Sequence, residues 1–397
     1  MNGKTRINLF PLLLIITALG LYLSVRSFKT NQAEATASRT PKYIFIFLAD
    51  GAGITHLEIA RLYSRHIHQE GLTISDRIMK EGSLGLLTTH SADLLVTDSA
   101  AAGTALASGC KTKKMTVGIC QDGSAPKTVL ELAKEKGMRI GLVTNSRIYD
   151  ASPAAFASHA SSRNHYSSIV NQYLELEPDL LLGGGRDQFL PRSQKGSRRK
   201  DNRDLITLFK ERGYAYVSNK KDLTGAKGPK VLGLFSLQDM SLEINRDKKT
   251  EPSVYDMTQA AIRILQEGNR TGFLVFIESE HIDSAAHLSN VAALIYDFRE
   301  FDRAVGLAYN FYKKHPRETL LLVTSDHETG GLSFTRGASP DDLKRIRSIT
   351  SWSTSGHTSQ PVFVGALGVG SERFRGYQDN TDFAKHLFAL LQGKKSD

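Results

Sequence analysis

From Lys42 onward, short strand-like apolar runs alternate with longer amphipathic stretches, and this alternation restricts the fold more than any other feature of the chain. The strand-like runs are "KYIFIFLAD" (42–50), "MRIGLVTN" (138–145), "PDLLLGGG" (178–185), "KVLGLFS" (230–236), "GFLVFIE" (272–278) and "TLLLVTSD" (319–326). Helical patterns fall at 125–137, 203–213 and 253–268, and a long one starts at about Val291. Helices joining successive strands impose parallel pairing and cover both faces of the sheet. The expected architecture is therefore α/β, a mostly parallel central sheet sandwiched between helices in three layers. No repeat or linker divides residues 42–392, which read as one domain followed by a polar tail, 393–397.

In sheets of this kind, ligands bind beyond the C-terminal ends of the strands. Those ends here deliver Asp50, the segment before Asp98 and Ser99, the segment leading to Asp150 and Ser152, Glu278, and the pair Asp326–His327. Each is an acid, a hydroxyl or an imidazole. "LVTDSAAAGTALASG" (95–109) places Asp98–Ser99 at a turn into a helix of small residues. Taken alone, that pair reads equally as a helix cap. A serine at a helix N-terminus also stands where the backbone favours an incoming anion.

"ESEHIDSAAH" (278–287) is the most informative stretch. Asp283 and His287 are four apart and share one helical face, a spacing that suits either chelation of a divalent ion or a solvated pair. His357, in the loop "STSGHTSQPVF" (353–363), is a further ligand candidate or else a surface residue. Asp50, Ser152 and Glu278 offer oxygen ligands of the kind magnesium takes, and Arg163 offers a fork for phosphate. Together the groups match two-metal phosphoryl transfer. No G-x-S-x-G elbow surrounds Ser99, which weighs against a triad hydrolase. His281 is a candidate for the outer surroundings of the site. His159 reads as a packing or hydrogen-bonding residue, and His56, His66, His68 and His90 read as surface residues.

Seven segments in order carry a resemblance to the alkaline phosphatase family. They are "ADGAG", "VTDSAAAGTALASG", "DASPAAFASHASSR", "LGGGRDQFLP", "ESEHIDSAAH", "SDHETGGL" and "GHTSQPVFVGA". The similarity runs from about Tyr43 to "NTDFAKHLFALL" (380–391). The resemblance implies hydrolysis of phosphate monoesters with broad leaving-group specificity, through a phosphoserine on Ser99, with two Zn²⁺ and one Mg²⁺ per chain. It implies that Asp283, His287 and His357 bind one zinc, and that Asp326 and His327 bind the other, which Asp50 shares. Asp50, Ser152 and Glu278 would hold magnesium. Arg163 would grip the phosphate, with Asp98 orienting it. Asp150 stands where the family carries Asp or His and is expected to tune the magnesium site from behind. Ser284 stands where relatives carry Lys, His or Trp, so the loss of a bulky or cationic phosphate neighbour is expected to alter phosphate affinity and product release rather than the chemistry. The family is usually dimeric, which implies a homodimer. The competing readings are a diesterase or sulfatase on the same scaffold and an inactive phosphate-binding protein. The magnesium set with Arg163 argues against the former, and the full complement of ligands argues against the latter.

Lys4 and Arg6 precede an apolar run from Ile7 to Val25, and a polar stretch follows it. Residues 1–41 therefore read as an export signal or a membrane anchor with a short linker. Ala35-Thr36-Ala37 resembles a cleavage site, and Arg26 and Lys29 on the far side leave orientation open. The body of the chain is expected in the periplasm or outside the cell. Its two cysteines, Cys110 and Cys120, suit a local disulfide across a hairpin. Net charge is +10, a field that favours anionic small molecules. The dense basic cluster "RSQKGSRRKDNR" (192–203) has no aromatic residue and reads as a solvated loop, which excludes nucleic acid as a partner.

Overall fold

The structure is a computed structural model that describes residues 40–394. Residues 1–39, which hold the expected export signal or anchor, and 395–397, the end of the expected polar tail, lie outside the described residues. Among the described residues, no helix is long and apolar enough to cross a membrane.

The chain alternates as its pattern predicts. It runs through β1 (Tyr43–Ala49), α1 (Ile54–Ile67), β2 (Ser83–Leu87), α2 (Ser99–Ser108), α3 (Val129–Glu135), β3 (Arg139–Arg147), α4 (Ala151–Ala157) and α5 (Tyr166–Leu176). There follow β4 (Leu180–Gly184), α6 (Leu205–Glu211), β5 (Ala215–Val217), β6 (Val231–Leu234), α7 (Val254–Gln266), β7 (Phe273–Ser279), α8 (His281–His287) and α9 (Val291–Lys314). The last part comprises β8 (Thr319–Thr324), a two-residue ladder of β9 (Glu328–Thr329) with β10 (His357–Thr358), β11 (Val362–Gly368), β12 (Gly376–Gln378) and α10 (Asn380–Leu391).

Ten strands form one sheet in the order β12-β2-β11-β8-β1-β7-β3-β4-β6-β5. Pairing is parallel except at β11, which runs antiparallel to both β8 and β2. β1 lies between β7 and β8, with Tyr43 opposite Phe273 on one side and Thr319 on the other. The central strands β1, β7 and β8 are buried along their whole length, as continuous apolar runs require.

Successive residues of a strand point to opposite faces, and here they enter two separate cores. Phe45 and Phe47 pack with α1, α7 and α9. Ile44, Ile46 and Leu48 pack with α2 to α5 and α10. In the second core, the ring of fully buried Phe276 meets Phe156 with centroids 4.4 Å apart. Truncating such a side chain to Ala costs about 3–5 kcal/mol.

Helix α2 is buried at every position, from Ser99 to Ser108. Only a helix of small residues can lie this close to its neighbours. A Cβ at Gly103 would stand 3.0 Å from the Cβ of Ala155 on α4. The packing brings Ser99 on α2 and Ser152 on α4 to one rim of the sheet.

His56 corrects the surface reading. It is fully buried, and its Nδ1 accepts a hydrogen bond from the Gly53 N–H at 3.2 Å. The imidazole thus caps the start of α1 with a side chain, a task Gly53 cannot perform for itself. His66, His68 and His90 are exposed as expected. Cys110 and Cys120 are bonded. The loop they close is irregular, and its single ladder contact is the bridge from Val117 to Ala160, so it is not the hairpin expected.

Candidate active site

Asp98 caps α2: its Oδ1 accepts from the Ala101 N–H at 3.1 Å. The capping reading of this turn is therefore correct, and it coexists with a second arrangement. Ser99, the first helical residue, places its Oγ 3.2 Å from Nε2 of His327. Arg163 is held from two sides, with Nη2 donating to Asp150 Oδ1 at 3.0 Å and Nη1 to Asp98 Oδ2 at 3.4 Å. Burial opposes charge on the guanidinium, but the two carboxylates more than offset it, and Arg163 stays ionised.

The expected ligands converge from distant parts of the chain. Asp283, His287 and His357 form one set, and Asp50, Asp326 and His327 a second; within each, one ligand atom per residue lies within 4.8 Å of the others. The i,i+4 spacing on α8 brings His287 Nε2 to 3.2 Å from Asp283 Oδ2. His357 arrives on β10 with Nε2 3.1 Å from that of His287. Its Nδ1 faces the Thr97 carbonyl at 2.9 Å, and the Nδ1 of His287 faces the Ser355 carbonyl at 2.6 Å. Both rings thereby turn Nε2 inward. His327 stacks on His357 with centroids 3.6 Å apart, so the two sets adjoin.

A third group is built from oxygens. Ser152 Oγ donates to Asp50 Oδ2 at 3.4 Å, and Glu278 accepts from Thr144 Oγ1 at 2.6 Å. Asp150 links this corner to Arg163 and, at 3.8 Å, to Arg147. Ser284 donates to Glu280 Oε1 at 2.8 Å.

The electrostatics show a site short of positive charge. Burial and then the Asp326 carboxylate push Asp50 well above the usual range. Burial, then Asp283, lifts Asp326 to about 7, and burial followed by Asp150 lifts Glu278 to about 8. Burial and the nearby His357 hold His327 neutral, well below its ordinary value. Burial raises Asp283 too, but its hydrogen bond with His287 and the other imidazoles overcome it and hold the carboxylate well below. Asp50 Oδ1 and Asp326 Oδ2 are buried without a hydrogen-bond partner. Orphaned carboxylate oxygens beside inward imidazoles are what a cation site presents.

His281 is buried but lies against Glu280 and Asp297, at 3.9 and 3.8 Å, and joins neither set. His159 bonds the Gly118 carbonyl at 2.6 Å and Glu131 at 3.2 Å, the packing and hydrogen-bonding use expected. Three residues of the neighbourhood went unmarked in the sequence: Thr144, Glu280 and Thr329. Glu280 could have been flagged, since an acid so near Glu278 and Asp283 adds to one crowded pocket.

A sequence profile described as alkaline phosphatase matches residues 41–342. The chain is 32% identical over 438 residues to alkaline phosphatase 3 of Bacillus subtilis (strain 168), covering 92% of this chain and 90% of that protein. The crystal structure of Thermus thermophilus alkaline phosphatase superposes with a TM-score of 0.81 at 26% identity, covering 91% of this chain and 93% of that one. A structure of a TAB5 alkaline phosphatase variant with Mg bound in its M3 site matches with a TM-score of 0.75 at 27% identity, covering 90% of this chain and 99% of that one. Fold, ligand sets and kinship agree on a divalent-metal hydrolase. The chain belongs to the alkaline phosphatase family and is a phosphatase.

Proposed function

We propose that this phosphatase cleaves phosphate monoesters in two displacements, with Ser99 carrying the phosphoryl group between them. The observation that supports this most directly is the position of Ser99 Oγ, 3.2 Å from His327 Nε2 in one ligand set, on the residue next to Asp98, which tethers the fork of Arg163. In the first displacement Ser99, as its alkoxide, attacks phosphorus; an Oγ–P bond forms as the P–O bond to the leaving alcohol breaks. In the second, water attacks phosphorus, the Oγ–P bond breaks, and inorganic phosphate leaves. Arg163 holds two phosphate oxygens bidentately through both steps. Asp98 and Asp150 keep its guanidinium aimed.

The imidazole-containing sets suit zinc: Asp283, His287 and His357 for one ion, and Asp326 and His327 with Asp50 for the other. The all-oxygen group of Asp50, Ser152 and Glu278 suits magnesium. Bound there, divalent ions supply Lewis acidity, lowering the pKa of a neighbouring hydroxyl or water and offsetting charge that gathers in the transition state. Side-chain recognition is spent on the phosphoryl group, so the reading extends to broad leaving-group specificity. It extends also to a homodimer, checked by light scattering, and to export, which the Cys110–Cys120 disulfide supports.

The test is Ser99→Ala in protein loaded with zinc and magnesium. Turnover should fall by at least about a thousand-fold. Acid-quenched wild type should carry phosphate on Ser99. Turnover of the variant at the wild-type rate removes the covalent route, and faster turnover of diesters or sulfate esters than of monoesters favours the rival chemistry.

A further inference from the structure

Thr329, which nothing in the sequence marked, touches both ligand sets of this site. It is fully buried on β9, two residues beyond His327. Its Oγ1 donates to Asp283 Oδ1, a member of the first ligand set. The same oxygen lies 3.3 Å from Nδ1 of His327, a member of the second. Its backbone pairs directly with His357 across the β9–β10 ladder, and its N–H donates to the Gly51 carbonyl at 3.0 Å, next to Asp50.

The chemistry of a hydroxyl orders these contacts. It has one proton to give and lone pairs to accept with. The Asp283 carboxylate only accepts, so the proton goes there. The remaining contact then requires His327 to donate, which places its proton on Nδ1. Nε2 is left with its lone pair, facing Asp326 Oδ2 at 3.2 Å, Asp50 Oδ1 at 3.5 Å and Ser99 Oγ at 3.2 Å. A partner on the far nitrogen is the usual means of fixing a ligating histidine's tautomer.

We infer that Thr329 is a positioning residue that joins the two ligand sets into one unit, so that filling either set raises the affinity of the other. The inference rests on the two-ion reading above. One hydroxyl orients a carboxylate of one set and an imidazole of the other. An ion that fixes Asp283 therefore also fixes the hydroxyl and, through it, His327. A buried threonine that merely satisfied its own hydroxyl would show no such dependence.

The experiment titrates Zn²⁺ into chelator-stripped protein against a chromophoric competitor, for wild type, Thr329→Val and Thr329→Ser. Wild type should bind two ions with positive coupling. Thr329→Val, which keeps the shape and deletes the hydroxyl, should weaken both by about 10- to 100-fold and make them independent. Thr329→Ser should restore affinity and coupling. Nitrogen NMR of metal-free wild type should show the His327 proton on Nδ1, a readout that holds even if the valine variant misfolds. The inference is overturned by a valine variant with unchanged affinities, by loss confined to one ion, or by a proton on Nε2. A wild type that takes up fewer than two ions removes the two-ion reading itself, and the inference falls with it.

Discussion

Ser99 Oγ and His327 Nε2 are 3.2 Å apart, yet no carboxylate stands behind the imidazole: Nδ1 of His327 meets the Thr329 hydroxyl at 3.3 Å. A serine–histidine pair without an orienting acid, and with the ring held neutral by burial, is a poor proton relay. On the proposed two-displacement reading, activation of Ser99 therefore falls to cations. Stripping divalent ions with a chelator should lower monoesterase turnover by at least about a thousand-fold, and zinc with magnesium should restore it. Residual activity within tenfold of the loaded enzyme would show that the pair works unaided.

Arg163 is anchored by Asp98 and Asp150, so its fork is set before substrate arrives. Even one charge-assisted hydrogen bond is worth about 1.5–3 kcal/mol, which corresponds to about 10- to 150-fold in affinity. Arg163→Ala should raise the inhibition constant for inorganic phosphate by that factor. Arg163→Lys should recover little, because an ammonium cannot grip two oxygens in one plane.

Asp98 serves the helix and the arginine together, through separate oxygens. Asp98→Asn keeps a capping acceptor, whereas Asp98→Ala removes it and should cost about 1 kcal/mol of stability. Both variants should weaken phosphate binding, and only the alanine variant should melt appreciably earlier. Equal melting of the two would mean the cap contributes nothing.

The disulfide lies close to the same apparatus. Within the loop it closes, the Met115 N–H donates to Asp98 Oδ1 at 3.2 Å, and the Met115 carbonyl accepts from the Arg163 N–H at 2.7 Å. Replacing Cys110 and Cys120 by serine should destabilise the fold by about 3 kcal/mol through loop entropy. It should also raise KM more than it lowers kcat, since the loop steadies Arg163. Thermal melts and steady-state kinetics on the double variant test both effects.

Metal-free protein should lose stability as pH rises. Asp326 at about 7, Glu278 at about 8 and His287 at about 9 all sit above their unfolded values of 3.8, 4.5 and 6.5. The folded chain thus holds extra protons, and the associated stability, complete below the unfolded values, disappears as pH climbs through the folded ones. His56 and His281 work the other way: burial depresses both to about 4, so stability falls as pH drops from 6.5 toward 4. Metal-free melting temperature should be highest at or below about pH 6.5 and decline toward about pH 9. Bound divalent ions should flatten the alkaline decline. A metal-free protein equally stable at about pH 9 and pH 6.5 contradicts the account.

Much of this architecture was legible in sequence because buried parallel strands are unbroken apolar runs, and the acids and imidazoles that end them are conspicuous. Direction was not: nothing in "PVFVGALG" distinguishes β11, which reverses against β8, from its parallel neighbours. β2 is five residues long with a glycine at its centre, too short to declare itself. His56 was misjudged because polar neighbours masked its spacing; with Ile59 and Ala60 it shares the buried side of α1. Thr329 carried no signal, since a threonine's worth here depends on two partners, Asp283 and His327, that only the folded chain puts on either side of it.

The reach of the ligand sets along the chain has a consequence for synthesis. Asp50 waits for Asp326 and His327, and Asp283 and His287 wait for His357, so neither set exists in a growing polypeptide until most of it has been made. Loading is thereby postponed to the finished sheet. On the two-ion reading an unfinished chain is a weak chelator, and ion capture would mark the moment at which these distant segments have been brought into register.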